Sequence, residues 1–226
     1  MTLSIVGVVC ALAAEARHLG PSGATRVTIS GMGGAAAARS ARGLIDAGAS
    51  ALVSWGMAGG LDPVLAPGTI FLPSEVISPD GGQAVATERS WYERLGTAIS
   101  QHRPVLHGRL ITSPKSVGTL ADKAALFRAT GAAAVDMESL AIAMVARDSR
   151  VPFIAVRVIV DSAADALPQA VTAAADSEGH LQIWRLLGAL ARTPGELGPL
   201  IRLAGRYRAA NRSLAAVARV GALAVA

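Results

Sequence analysis

Cysteine and aromatic residues are both scarce in this chain of 226 residues. The one cysteine, Cys10, has no partner for an internal disulfide, which agrees with a reducing, cytoplasmic location. Aromatic residues make up 4% of the chain and hydrophobic residues 52%, so the core must consist mainly of Ala, Val, Leu and Ile. Such a core is typical of parallel strands that are covered by helices on both faces.

Long apolar runs are missing as well. No uncharged run approaches the ~20 apolar residues that a membrane-spanning helix needs. The run SIVGVVCALAA, residues 4–14, has no Lys or Arg before it, so we interpret it as a buried strand rather than as part of a signal peptide. The sequence therefore predicts a soluble or peripheral protein.

Acidic residues are nearly absent from residues 181–220, although the net charge of the whole chain is only +5. Glu196 is the one acid there, against seven arginines: Arg185, Arg192, Arg202, Arg206, Arg208, Arg212 and Arg219. This charge predicts an anionic partner, and peripheral contact with the inner face of a membrane through a basic amphipathic helix would provide one. Docking of the apolar stripe of that helix on the domain is the alternative. Aromatic residues are too few for a nucleic-acid stacking platform, so nucleic acid is not expected.

Apolar strands alternate with alanine-rich helices along the whole chain. Strands are predicted at Ser4–Ala11, Arg26–Ile29, Ala51–Trp55, Thr69–Val76, Gly108–Thr112 and Phe153–Val160. Helices are predicted at Ala13–Leu19, Gly34–Ala47, Ser90–Gln101, Lys115–Thr130, Glu138–Arg147, Leu181–Ala191 and Pro199–Ala218. This order predicts a three-layer α/β/α sandwich with a central mixed, mainly parallel sheet. Residues 1–192 are expected to form the main domain, and residues 193–226 a helical extension of it.

Polar and glycine-rich segments follow the strands, where ligands gather in such sheets. Glu15 follows the first strand, the loop SGMGG with Gly31 and Gly33 the second, the loop WGMAGG with Gly59 the third, and Asp161 the strand at 153–160. Taken singly, the acids could be solvated side chains or helix caps and the glycines simple turns. A dinucleotide site is disfavoured, because the glycine loop follows the second strand and no acid lies about 20 residues beyond it.

The stretch AVDMESLAIA, residues 134–143, places Asp136 and Glu138 among apolar residues. Two acids in such surroundings cost free energy unless a helix N-terminus, a partner or a ligand compensates them. Cleavage of an N-glycosidic bond passes through an oxocarbenium-like sugar, as glycoside hydrolysis does. It needs an acid for the departing base, a group that activates water and an acceptor for the sugar hydroxyls, and separated carboxylates could fill these roles.

Five motifs resemble the nucleoside phosphorylase superfamily, and most closely its nucleosidases for methylthioadenosine and S-adenosylhomocysteine. They are VGVVCALAAEA, SGMGG, WGMAGGLDPVLAPGTI, AVDMESLAIA and VPFIAVRVIVDSAAD, in family order over residues 4–168. The resemblance implies a phosphorylase-like fold, with residues 1–192 as the catalytic domain. It also implies a homo-oligomer that needs no cofactor or metal, with phosphate as the one co-substrate to consider.

The resemblance also implies a role for individual residues. Glu15 matches the acid that activates water, and Asp161 the acid that protonates N7 of the purine. Met137 and Glu138 match the pair that packs beneath the ribose and accepts its hydroxyl hydrogen bonds, so Asp136 is expected to support the turn.

Four further positions follow from the same resemblance. Val117 lies where members of the family bind the base through backbone groups. Arg157 matches an arginine that supports the cluster of site residues, and Gly59 is assigned to the substrate site. The loop with Gly31 and Gly33 is assigned to the water or phosphate.

Two segments resemble one subgroup, the hopanoid-associated phosphorylases of bacteria. The stretch SPDGGQAVATERSWYERL is shorter than the region that encloses the 5′ end of the substrate in the methylthioadenosine enzymes, and a basic tail rich in alanine follows residue 191. The implied substrate is adenosylhopane, which loses adenine to give a ribosyl or phosphoribosyl hopane. Three alternatives remain: a methylthioadenosine/S-adenosylhomocysteine nucleosidase, a non-catalytic nucleoside-binding or partner-docking protein, and, as a minor competitor, the dinucleotide oxidoreductase. The loop Trp55–Met57 lacks the arginine and serine of phosphate-using relatives, and both hydrolysis and phosphorolysis stay open.

Overall fold

Eight strands and six helices alternate along the part of the chain that the computed structural model describes, which comprises residues 4–20, 24–167, 197–221 and 223. The strands are β1 Val6–Cys10, β2 Thr25–Ile29, β3 Ala51–Gly60, β4 Ile70–Ile77, β5 Ala84–Ala86, β6 Val105–Thr112, β7 Ala134–Asp136 and β8 Phe153–Asp161. The helices are α1 Ala13–Ala16, α2 Gly34–Asp46, α3 Arg89–Ser100, α4 Leu120–Thr130, α5 Ser139–Asp148 and α6 Leu197–Val220.

All eight strands belong to one mixed sheet, and five of its eight ladder pairings are parallel. This confirms the predicted mixed, mainly parallel sheet. The strands β3, β8, β4, β6 and β7 pair in that order and β7 pairs again with β3, so these five strands close into a ring. Strands β1 and β2 extend the sheet beyond β3, and β5 extends it beyond β4.

Two apolar clusters cover the two faces of the sheet. Neighbouring residues of one strand belong to different clusters: Val9 and Leu52 to the first, Val8 and Val53 to the second. Because successive side chains of a strand point to opposite faces, the two clusters lie on opposite sides of the sheet. Residues of α2 and α5 complete the first cluster and residues of α3 and α6 the second, which gives three layers.

Helix α6 packs on the second cluster through the apolar stripe that its sequence predicts. Ala210, Leu214 and Val217 are buried there, and the Ser213 hydroxyl donates a hydrogen bond of 2.8 Å to the Gly68 carbonyl. This stripe is therefore docked on the domain. The predicted helix at Leu181–Ala191 and the predicted boundary at residues 192/193 lie outside the described residues. Among those that are described, no helix combines the length and apolarity that crossing a membrane requires.

Among the differences between the predicted and observed elements, two boundaries and two missed strands have identifiable reasons. The strand predicted at Ala51–Trp55 continues to Gly60, because β8 and β7 pair with its glycine-rich end. The helix predicted from Lys115 begins at Leu120, because the Thr119 side chain caps it by accepting a 3.0 Å hydrogen bond from Asp122 N–H. The short strands β5 and β7, of three residues each, were not predicted, because they carry no alternation that could mark them.

Candidate active site

A cavity of about 230 Å³ lies where β1, β3, β7 and β8 end. Six of the predicted site residues line it: Glu15, Gly59, Val117, Met137, Glu138 and Asp161. Met32, Met57, Leu167 and Tyr207 contribute apolar surface to the same wall. The three carboxylates that the sequence places far apart are thus brought to one cavity.

Glu15 is buried in the first turn of the short helix α1, and backbone groups fix its carboxylate. Leu12 N–H donates to Oε2 at 3.0 Å, and Met57 N–H donates to Oε1 at 2.9 Å. Burial raises the pKa of this carboxyl, and the two N–H groups lower it in part. Gly56 makes the arrangement sterically feasible, because a Cβ atom there would lie 2.7 Å from Oε1.

Glu138 lies directly before α5 and faces the glycine loop. Its carboxylate accepts a hydrogen bond of 2.8 Å from Gly33 N–H and a longer one of 3.3 Å from Met137 N–H. Burial, followed by the charge of Asp136, raises the pKa of Glu138 to about 7. Glu138 is therefore a carboxyl that titrates near neutral pH and retains acceptor capacity toward the cavity.

Arg157 lies behind the cavity rather than on its wall. Its guanidinium donates to Asp136 Oδ2 from Nε at 3.0 Å and from Nη2 at 2.7 Å, and its other donors reach Ser54, Ser139 and the Val156 carbonyl. Asp136 in turn accepts from Ser139 N–H at 3.2 Å. Arg157 thus stabilises the turn that carries Met137 and Glu138. It is not among the described residues that line the cavity.

Asp161 ends β8 at an irregularity of the sheet. The pairing with β3 shifts between Ala58 and Gly59, so that Gly59 opposes Asp161 and Val160 is passed over. A bulge of this kind re-aims the following side chain. A Cβ atom on Gly59 would lie 3.4 Å from Asp161 Oδ2, an ordinary contact distance, so Gly59 lies directly beside this carboxyl.

A buried lysine holds Asp161. Lys123 of α4 is fully buried and donates from Nζ to Asp161 Oδ2. Burial raises the pKa of Asp161, and the Lys123 charge acts in the opposite direction. Sequence reasoning missed Lys123, although a signal exists: it lies three and four residues before Leu126 and Phe127, on the apolar face of α4.

The two predicted loops differ in their relation to the cavity. Val117 lines it, and its loop is joined to the segment that follows β8 by a 2.8 Å hydrogen bond from Leu167 N–H to the Gly118 carbonyl. Gly31 lies outside the cavity lining, and Gly33 borders a neighbouring groove. Both glycines have φ angles near +80° to +93°, which other residues rarely adopt.

That groove, of about 550 Å³, runs between α2 and α5 and shares Met32 and Met137 with the cavity. Leu140, Ala141 and Met144 make much of its surface apolar, while Arg39 and Gln83 also border it. Within the described part of the chain, no group of His, Cys, Asp and Glu side chains is arranged to hold a metal ion.

Solved structures with this fold include nucleosidases of two bacteria. The 5′-methylthioadenosine/S-adenosylhomocysteine nucleosidase of Neisseria meningitidis, in complex with methylthio-immucillin-A, has a TM-score of 0.70 at 20% identity, covering 97% of this chain and 99% of that one. The corresponding nucleosidase of Helicobacter pylori has a TM-score of 0.67 at 19% identity, covering 72% and 87%. The futalosine hydrolase of the same bacterium has a TM-score of 0.66 at 17% identity, covering 90% and 98%. At these identities the likeness shows a shared fold, and it confirms the predicted phosphorylase-like architecture.

Sequence comparison assigns the family independently of the fold. No curated protein matches the chain significantly. The sequence model of the phosphorylase superfamily matches residues 13–184, which is more than half of the chain. This confirms the predicted enzyme class, one that cleaves N-glycosidic bonds. The chain therefore belongs to the phosphorylase superfamily.

Proposed function

We propose that this enzyme hydrolyses the N-glycosidic bond of a 5′-substituted adenosine and releases adenine. The observation that carries the proposal is the convergence of Glu15, Glu138 and Asp161 on one cavity. Similar folds bind adenosine-type ligands in the nucleosidases described above, which supports an adenosine substrate.

Each carboxylate has a distinct part in the proposed reaction. Glu15, fixed by two backbone N–H groups, accepts a proton from the attacking water. Glu138 accepts hydrogen bonds from the ribose hydroxyls as positive charge develops on the sugar, while Met137 packs beneath the ring. Asp161 donates its proton to N7 of the leaving adenine, and the backbone near Val117 binds the base.

The glycine loop supports water rather than phosphate as the nucleophile. A phosphate site at a glycine loop depends on free backbone N–H groups. The Gly33 N–H group is engaged by Glu138 Oε1 at 2.8 Å, so it is not free to bind an anion. Adenine release by purified enzyme should therefore proceed equally well with and without inorganic phosphate, and strict dependence on phosphate would contradict hydrolysis.

Substitution of the acid tests the proposal most directly. Asp161→Asn should lower kcat for adenine release by at least about 100-fold, the smaller contribution expected of a positioned general acid. Retention of bound nucleoside by wild-type protein without product would instead support the non-catalytic binding protein. Circular dichroism and substrate titration show whether the variant keeps its fold and its affinity.

We propose further that the 5′ substituent is a hydrophobic lipid group, as in adenosylhopane of hopanoid biosynthesis. A cavity of about 230 Å³ is smaller than the ~300–1,000 Å³ typical of pockets for drug-sized ligands, so a bulky group must extend beyond it. The apolar groove that shares Met32 and Met137 with the cavity supports this substrate class.

The lipid substrate predicts a selective effect of groove substitutions. Met144→Glu should lower kcat/KM for adenosylhopane at least about tenfold, because burying apolar surface against a carboxylate is unfavourable. It should leave 5′-methylthioadenosine turnover within threefold, and Arg147→Glu, an exposed position on the same helix, should change neither. Wild-type enzyme that uses only 5′-methylthioadenosine or S-adenosylhomocysteine would support the alternative nucleosidase.

We also propose peripheral contact with the cytoplasmic face of the membrane through the arginines of α6. Its apolar stripe is docked on the domain, so the contact must be electrostatic. Arg208, Arg212 and Arg219 are exposed, and no ion pair joins them to another described residue. Each arginine near an anionic surface is worth about 1 kcal/mol.

Vesicle sedimentation tests this contact. Replacing Arg208, Arg212 and Arg219 by Gln should weaken binding to phosphatidylglycerol vesicles by on the order of 100-fold. A matched triple replacement of Arg42, Arg94 and Arg128, which are exposed elsewhere, should not. Equal binding of the two triple variants would contradict the proposal.

A homo-oligomer is proposed on the family resemblance alone. Sedimentation equilibrium of the purified protein tests it, and a monomer at micromolar concentration would contradict it.

A further inference from the structure

The buried ammonium group of Lys123 has no part in the reaction described so far. All its donors are used: besides Asp161 Oδ2, Nζ donates to the Ser162 carbonyl at 2.7 Å and to the Asp165 carbonyl at 2.8 Å. A fully buried lysine is costly unless it is paired and hydrogen-bonded, and here both conditions are met. Such a charge beside a reacting carboxyl affects how readily that carboxyl loses its proton.

A second ion pair fixes the turn that presents these carbonyls to Lys123. Asp165 accepts hydrogen bonds from Ser162 N–H at 3.0 Å and from the Ser162 hydroxyl at 2.6 Å. Its other oxygen accepts from Arg206 Nη2 at 2.5 Å. Because Arg206 belongs to α6, this helix helps to hold in place the two carbonyl groups that bind Lys123. It also lines the cavity through Tyr207.

A general acid must keep its proton before the reaction and lose it readily during the reaction. Burial favours the protonated form of Asp161, which serves the first requirement. The ammonium group favours the carboxylate, which serves the second. Both effects act on the same ionisation equilibrium, and because burial is the larger of the two, the pKa of Asp161 stays raised while the Lys123 charge makes its proton easier to lose.

We propose that Lys123 is a positioning residue that stabilises the Asp161 carboxylate formed when adenine takes the proton. This inference rests on the proposed function. In the step, the O–H bond of Asp161 breaks, an N7–H bond forms, and the electron pair of the glycosidic bond passes to the base. Water supplies the new bond to C1′ and gives a proton to Glu15, while Lys123 keeps its own protons throughout.

Two substrates that differ in their leaving group separate this role from a structural one. Adenine must be protonated to leave, whereas 4-nitrophenolate leaves without a proton. Lys123→Met should therefore lower kcat for 5′-methylthioadenosine by at least about 100-fold and leave kcat for 4-nitrophenyl ribofuranoside within threefold. The alkaline limb of the kcat/KM profile for the nucleoside should also move to higher pH. An equal loss on both substrates would overturn the proposal.

If Lys123→Met does not fold, the double variant Asp161→Asn/Lys123→Met can test the role of Lys123 instead. It removes both charges together, so no buried charge is left without a partner. If Lys123 acts only through Asp161, the double variant should retain the residual activity of Asp161→Asn within threefold. A further tenfold loss would contradict the proposal. Failure of the proposed function has a different signature, since wild-type protein would then release product from neither substrate.

Discussion

The buried carboxylates of the candidate site are each held by different groups of the protein. Glu15 is held by two backbone N–H groups, Glu138 by the glycine loop and Asp161 by a lysine. Asp136 accepts hydrogen bonds from Nε and Nη2 of Arg157. Glu138, like Glu15, has no cationic partner at hydrogen-bond distance, and burial and the charge of Asp136 raise its pKa to about 7.

Replacement of Gly56 should displace the proposed base. In Gly56→Ala the new Cβ atom would lie 2.7 Å from Glu15 Oε1, which is closer than such contacts tolerate, so the carboxylate must move. We expect kcat for adenine release to fall about 100-fold or more. Gly43→Ala is the matched control, because nothing lies within 4 Å of a Cβ at that helical position, and unchanged kcat in Gly56→Ala would contradict the predicted role of Glu15.

Glu138 should make the protein less stable at alkaline pH. Its pKa rises from the ordinary 4.5 to about 7 on folding, so the folded state binds more protons between these values and stability falls as pH rises through that window. Glu138→Gln removes this loss, on the order of 3 kcal/mol. At pH 8 the Tm of the variant should therefore exceed that of wild type by roughly 6–12 °C more than it does at pH 4.

The measurement is a thermal melt of both proteins at the two pH values. A Tm difference that is the same at pH 4 and pH 8 would show that the carboxyl of Glu138 does not titrate in this window.

At the level of secondary-structure elements, sequence patterns predict the long helices and strands. They miss short strands and contacts that form only between segments distant in sequence. The helix at Gly34–Asp46 and the strand at Phe153–Asp161 were predicted to within one residue, because each carries its own periodicity and end signals. Strand β7 was missed, because three residues become a strand only where β3 and β6 pair with them. The partner of Asp161 was missed for the same reason, since α4 and β8 meet only in the fold.

Helix α6 should depend for most of its anchoring on its buried apolar face. Leu214 is fully buried against the second apolar cluster, so Leu214→Ala should lower the free energy of unfolding by roughly 2–5 kcal/mol. Ile201 on the same helix is 64% exposed, and Ile201→Ala should change it by no more than about 0.5 kcal/mol. Urea denaturation of the two variants checks this, and equal effects would show that α6 is not docked as described.

For the whole molecule, composition and alternation were enough to predict the layered α/β class, and strand ends were enough to suggest where ligands bind. The closure of five strands into a ring could not be predicted. The closure depends on two pairings: β4 pairs antiparallel with β8, and β3 pairs with β7 through only Gly59 and Gly60. No local sequence pattern indicates either pairing.

Ring closure should be visible in hydrogen–deuterium exchange. Strand β8 is buried, and it pairs with β3 along its length and with β4 at Arg157 and Val158, so its amides should be among the slowest to exchange. The edge strands β2 and β5, each with one partner strand in the described part of the chain, should lose protection through local fraying. Asp161 ends β8, so we expect this proposed proton donor to be held rigidly, while movement of the loops around the cavity admits the substrate.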